Sequence, residues 1–195
     1  MRLPERLLRT AGAMALAGAM VAWAAPPMAG ALVPAISFLA DLASPQLVTG
    51  VALAGEGLRA AIEADAVLLG GARVGADGYL APATRIGPFR FSLANTVAPL
   101  AALFALLALQ PAADAAERLR RWALGACAAA LLVVASAALH LAGLIDMALV
   151  DAAPPGLQDH PPWTVHGLAV LESGGRWLAA AVLALACIAA ARRRE

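Results

Sequence analysis

Four apolar stretches dominate this chain, each near or above the length a helix needs to cross a bilayer. They cover residues 11–42, 92–110, 122–150 and 174–191 of 195. A helix rises about 1.5 Å per residue and the hydrocarbon core is about 30 Å thick, so roughly 20 apolar residues suffice. Lipid offers backbone amides no partner, so segments of this kind must be helical. Charged residues make up 14% of the chain and apolar ones 62%. Ordinary soluble domains hold about 25% and 45–50%. That imbalance excludes a disordered chain, a nucleic-acid binder with a basic field, and most soluble enzymes. The expected fold is a mainly α membrane protein. It is a four-span helical bundle, with a small antiparallel β layer outside the membrane between spans one and two.

The ends of the stretches are marked in the sequence. Pro111 stops the second, because proline lacks the amide that continues a helix. Ser92 or Asn95 suits its N-cap, Pro99 lies in its first turns, and Pro26-Pro27 is a place for the first span to kink. The third opens on RLRRW, an arginine cluster followed by a tryptophan suited to a membrane interface.

Arginine placement sets the expected threading. The chain has no lysine, and its net charge of +1 hides clusters of arginine. Arg2, Arg6 and Arg9 lie in a basic N-terminus, residues 1–10. Arg118, Arg120 and Arg121 lie in the loop 111–121, and Arg192, Arg193 and Arg194 in the tail 192–195. With four spans these three segments share one side, and the positive-inside rule makes it the cytoplasm. Both termini are then cytoplasmic, as in a multi-pass protein of a bacterial inner membrane. The first segment also has the marks of a signal peptide: basic residues, an apolar run, and Ala22-Trp23-Ala24 as a small-x-small cleavage pattern. A retained span and a cleaved signal both stay open at this point.

Residues 43–91 change character. LVTGVAL, LRAAIEADAVLL and ARVGADGYL alternate apolar and polar positions, and Gly70-Gly71 and Asp77-Gly78 are turn signals. Three or four short antiparallel strands are expected, although LRAAIEADAVLL has enough alanine to form a helix instead. The second external segment, residues 151–173, is rich in proline and is expected to be irregular.

Five ionisable side chains fall near the outer ends of the helices: His140, Asp146, His166, Glu172 and Arg176. Such groups in or near spans are functional candidates. Glu172 and Arg176, four residues apart, read as an interfacial ion pair. His160 and His166 lack metal-ligand spacing, and no metal or cofactor site is expected. Cys127 and Cys187 lie in apolar runs at similar depth near the cytoplasmic side, where they read as small buried hydrophobes. Gly12 and Gly18 would suit close packing of the first span. No nucleophile elbow, zinc-protease helix or phosphate loop is present.

The layout resembles the small membrane proteins associated with exosortases, in particular the exosortase H-associated type. The resemblance is carried by RIGPFRFSLANTVAPLAALFALLALQP, where a strand runs straight into a proline-containing apolar helix. AERLRRW and ESGGRWLAAAVLAL extend it. It implies an accessory role beside a multi-span protease that processes the sorting tails of exported proteins in Gram-negative bacteria. It carries no catalytic residue. The leading expectation is therefore a non-enzymatic accessory or scaffold protein. Its partners would be the membrane and an exosortase-like protease or its exported substrates, with no nucleic acid. An enzyme of the outer face using His140, His166, Glu172 and Arg176 is the alternative. A small transporter subunit is a second, disfavoured because ionisable groups at mid-membrane are almost lacking.

Overall fold

The first apolar stretch forms one long helix, α1 (Leu3–Ala43), which continues through Pro26, Pro27 and Pro34. The computed structural model describes residues 3–44, 47–70, 72–74, 78–151 and 162–192. The strands β1 (Leu47–Ala54), β2 (Ala61–Leu68), β3 (Ala72–Val74), β4 (Gly78–Leu80) and β5 (Arg85–Ser92) follow. Then come the helices α2 (Leu93–Leu109), α3 (Ala115–Asp151), α4 (Trp163–Val170) and α5 (Arg176–Arg192). A π-helical turn, Leu171–Gly175, joins α4 to α5, so the last two helices form one interrupted rod. The molecule is mainly helical. Thr10–Ala43, Ala115–Asp151 and Trp163–Arg192 are each long and apolar enough to cross a membrane, and α2 is a shorter apolar helix.

Helices α1 and α5 each pack on both α2 and α3, and α4 packs on α3. The central helix is α3. Of its apolar stretch 72% is buried, against 22% for α1 and 33% for the last rod. Leu103, Val133, Leu141, Ile145 and Ala180 are in the shared core. The glycines that permit close approach are not those of the first span. A Cβ at Gly12 or Gly18 would meet nothing within 4 Å among the described residues. One at Gly143 of α3 would lie 2.7 Å from Leu168 Cβ and 2.8 Å from the Thr164 carbonyl of α4. An alanine-rich span offers small residues everywhere, so spacing alone does not single out the contact that uses one.

Strands β1, β2 and β5 form an antiparallel sheet with β2 in the centre, and β3 and β4 form a separate hairpin. The segment open to a helical reading is thus the central strand. The reason is visible in its alternation. Ile62, Ala64, Ala66 and Leu68 are buried, while Glu63, Asp65 and Val67 are only partly covered. Glu63 faces its register partner Arg90 at 3.3 Å, and Asp65 pairs with Arg85. Gly71 and Asp77, from the two turn signals, lie outside the described residues.

The sheet is fixed to the bundle at both of its edges. On the β1 side, the Thr49 amide and hydroxyl both donate to Asp41 Oδ1, at 2.8 and 2.6 Å. The Ser37 hydroxyl donates to the Thr49 carbonyl at 2.7 Å. Side chains of α1 therefore occupy backbone groups that an edge strand would otherwise leave open. On the other side, β5 passes into α2 without a linker. Ser92 is the N-cap residue, and the Leu93 amide donates to the Ala60 carbonyl at 3.1 Å.

Two segment boundaries differ from expectation. The arginine-rich loop is already helical from Ala115. Asp114 accepts the Glu117 amide at 2.5 Å, and Glu117 Oε2 accepts the Ala113 amide at 2.7 Å. Asp114 thus caps the helix at its N3 amide, and Glu117 reaches back to the amide before Asp114. The proline-rich segment becomes helical at Trp163. Its prolines all precede that residue, and Pro162 sits at the N-cap, where a missing amide costs nothing.

Candidate functional site

The site lies where β5, α2, α3 and the start of α5 meet. Phe91, inward-facing at the end of β5, sets its ring 4.6 Å from the ring of His140 on α3. Arg176 opens α5 and is buried, with 7% of its surface exposed. Its position depends on the turn before it. Gly174 has φ +107°, a left-handed conformation that glycine adopts without a steric penalty, and the rod kinks there. The kink separates the direction of α5 from that of α4 and delivers Arg176 toward α2 and α3.

Arg176 donates from Nη2 to His140 Nδ1. A guanidinium has no acceptor atom, so Nδ1 accepts and His140 is the neutral tautomer protonated at Nε2. Nη1 of Arg176 donates to the Asn95 carbonyl at 3.4 Å, and its Nε is buried without a partner. No carboxylate of the described residues lies within ion-pair distance of this guanidinium.

Beside these groups is a cavity of about 620 Å³. Arg90, Asn95, His140, Glu172 and Arg176 supply its polar wall, and Phe91, Leu144, Leu171 and Trp177 much of its apolar wall. Arg90 is shared with Glu63 of β2.

Three of the five residues singled out in the sequence therefore converge: His140, Glu172 and Arg176 line one cavity. The other two do not. Asp146 accepts the Thr164 hydroxyl and lines a separate cavity of about 230 Å³ with Ser44, Leu47, Pro162 and Trp163. Roughly one and two-thirds helical turns separate it from His140, which turns it toward α4 rather than α5. His166 is exposed on α4 and is not among the residues lining either cavity. His160 lies outside the described residues.

The expected Glu172–Arg176 ion pair is absent among the described residues. Its spacing assumed an unbroken α-helix. The π-helical turn and the left-handed Gly174 intervene, so Glu172 stays exposed while Arg176 turns inward. The cysteines differ as well. Cys187 is buried, but Cys127 is on the exposed side of α3, and both are free thiols. Among the described residues, no group of three or more His, Cys, Asp or Glu side chains is placed to hold a metal ion.

Sequence reasoning missed Arg90, Phe91, Asn95 and Trp177 as members of the site. Part of the signal was present. The FRFS alternation marks Phe91 as inward-facing, and Asn95 is a polar residue in the first turn of an apolar helix, whereas Arg90, on the opposite face of β5, carries no such signal.

A second cluster occupies the other end of the bundle. Arg121 of α3 is 1% exposed. It pairs with Glu117 and donates to the carbonyls of Gln110 at 2.7 Å and Pro111 at 3.2 Å. It thus satisfies acceptors at the end of α2 that the helix itself leaves open. Arg192 Nε lies 3.6 Å from the same Glu117 carboxylate and ties in the last turn of α5.

Both ends, then, hold a buried arginine whose Nε has no partner and which lines a cavity, of about 620 Å³ at the first end and about 580 Å³ at the second. They differ in that Arg121 is paired with Glu117, whereas no carboxylate of the described residues lies within ion-pair distance of Arg176. No family model matches the chain, and neither does any curated protein or any solved structure.

Proposed function

We propose that this chain is a non-enzymatic accessory protein of a bacterial inner membrane, presenting its sheet and the adjoining cavity to a membrane protease or that protease's exported substrate. The observation that carries this reading is the double attachment of the sheet, through Asp41 and Ser37 on one edge and through the β5–α2 junction on the other. A layer anchored in this way is held against the helices and offers a partner a defined surface. The cavity favours binding over chemistry. His140 commits Nδ1 to Arg176, and no hydroxyl or thiol of the described residues is hydrogen-bonded to its ring.

In this reading all four helical rods cross the bilayer. Helix α2, with 17 residues, spans about 26 Å at 1.5 Å per residue, close to the core thickness. The sheet then sits directly at the outer surface, and α1 extends beyond the membrane to support it. Both termini and the α2–α3 connection are cytoplasmic, in keeping with their arginines. The strand that runs into a proline-containing span, and the arginine-led last helix, are the features by which the chain resembles exosortase-associated proteins.

The test is deletion of the gene, with immunoblots of an exported protein that carries a sorting tail in the same cell. Unprocessed tail that is cleaved again on complementation is the expected result. Normal processing in the deletion strain would remove the accessory role.

A further inference from the structure

We infer that the cavity between β5, α2, α3 and α5 is a binding site for the phosphate group of an anionic amphiphile, with Arg176 as its principal donor. The inference rests on the membrane-spanning reading of the helices and is independent of which protein the chain assists.

The first argument is the state of Arg176. Its side chain is buried, and an arginine out of water is costly unless an anion and hydrogen-bond acceptors compensate it. Here the acceptors are a neutral imidazole nitrogen and a carbonyl at 3.4 Å, and Nε has none. The guanidinium lacks a contacting anion among the described residues, and the Glu172 carboxylate acts on it only from beyond ion-pair distance. Among the described residues the one carboxylate on the cavity wall, Glu172, is exposed and makes no ion pair with Arg176.

The second argument is the arrangement of donors. Arg90 on the strand side and Asn95 on α2 line the same cavity as Arg176 on α5. Donor-bearing residues from three elements thus border one space. That suits a tetrahedral oxyanion better than a planar carboxylate, which a single guanidinium fork already satisfies. Glu63 lies 3.3 Å from Arg90 and leaves it exposed enough to turn toward a ligand.

The third argument concerns the rest of the ligand. About 620 Å³ is far more than a bare phosphate fills, and much of the remaining lining is Phe91, Leu144, Leu171 and the half-exposed Trp177. Tryptophan at the end of an apolar helix favours the headgroup level of a bilayer. A lining that joins polar residues to apolar ones and a half-exposed tryptophan matches a molecule whose phosphate is attached to a hydrocarbon.

The test uses the full chain in detergent micelles, titrated with dioleoyl phosphatidic acid and followed by native mass spectrometry. Saturable binding of one lipid per chain is expected, with none for dioleoylglycerol, which has the same tails and no phosphate. Arg176→Gln should weaken binding by about tenfold or more, the loss of a charged hydrogen bond. Arg90→Gln should weaken it about threefold. Arg90 is exposed, so this variant carries the test if Arg176→Gln does not fold. Arg59→Gln, an exposed arginine away from the cavity, should change nothing. Inorganic phosphate separates the two sources of the group. Competition only at far higher concentration assigns the site to a lipid phosphate, whereas competition at equal concentration assigns it to a soluble phosphate and removes the amphiphile. The inference is overturned by no saturable binding, by oleate or dioleoylglycerol binding as tightly as phosphatidic acid, by inorganic phosphate competing at equal concentration, by a folded Arg176→Gln that binds unchanged, or by Arg59→Gln weakening binding as much as Arg90→Gln.

Discussion

The two ends of the bundle each bury an arginine, and they use it in opposite ways. Arg121 is paired with Glu117 and caps two carbonyls, so the end of α2 and the start of α3 are joined through its side chain. Arg176 meets a neutral ring nitrogen, one long carbonyl contact and a cavity. Both leave Nε without a partner and both line a cavity, so burial, an unpartnered Nε and a neighbouring cavity do not distinguish them. The distinction is the presence of a paired carboxylate. Where one is supplied by the chain, the cation is a joint between helices. Where none is, the fold holds a positive charge that an external anion can complete.

The largest effect is expected from breaking the joint. Arg121→Ala leaves two carbonyls without their donor and the Glu117 carboxylate with only the Ala113 amide and the more distant Arg192, and the two carbonyl bonds alone set the loss at about 3 kcal/mol. Equilibrium unfolding in mixed micelles should read it as a lower midpoint with an unchanged slope. A loss below about 1 kcal/mol would mean that the clasp is decorative and that the two ends are alike. Next comes the α3–α4 contact. Gly143→Ala forces a methyl against the root of Leu168 and the Thr164 carbonyl, neither of which can rotate away. Overpacking of this kind costs about 1–3 kcal/mol. Gly12→Ala, with open space around it, should be neutral or slightly stabilising because alanine is the better helix former. Equal losses at the two glycines would refute the assignment of α4 to the face of α3 at Gly143. Within the range given for Gly143→Ala is Asp41→Ala, which removes the acceptor of two Thr49 bonds at the sheet edge and should cost about 1.5 kcal/mol. Amide exchange localised to β1 would show that the sheet has loosened from α1 while the helices hold.

How far the sequence could be read follows the same division. Three long apolar helices and a small antiparallel sheet between the first two were legible, because apolar length and period-two alternation are local properties. The clasp is not legible in the arginine cluster, which reads as a cytoplasmic loop over residues 111–121. That Arg121 turns back onto the end of α2 depends on how tightly α2 and α3 pack. At the site, His140, Glu172 and Arg176 stand out by their charge in apolar surroundings, and the same reasoning brings in Asp146 and His166. Charge marks a residue as unusual without saying which way it faces. Asp146 faces α4, and His166 lies on the exposed side of that helix, in a segment whose proline content suggests irregular structure. The Glu172–Arg176 pair failed for a conformational reason. The break comes at Gly174, the first of an adjacent glycine pair, and only its left-handed φ shows that helical spacing does not carry across it.

The smallest expected change in stability is also the one that discriminates best between the two ends. Arg176→Leu removes a buried charge that no carboxylate of the described residues pairs with, and it fills much of the same space with hydrocarbon. Replacing a charge of this kind with an apolar side chain is often neutral or stabilising. The variant should therefore unfold within about 1 kcal/mol of the parent, or at higher denaturant, whereas Arg121→Leu, measured alongside it, should lose stability because Glu117 stays behind without its buried partner. His140 keeps its neutral ring against Phe91 and gives up only one hydrogen bond. A marked loss for Arg176→Leu would place both arginines in the same structural role. Retained stability together with lost phosphatidic acid binding would mean that the charge is kept at this end at no benefit to the fold. An arginine held in that way serves whatever enters the cavity beside it.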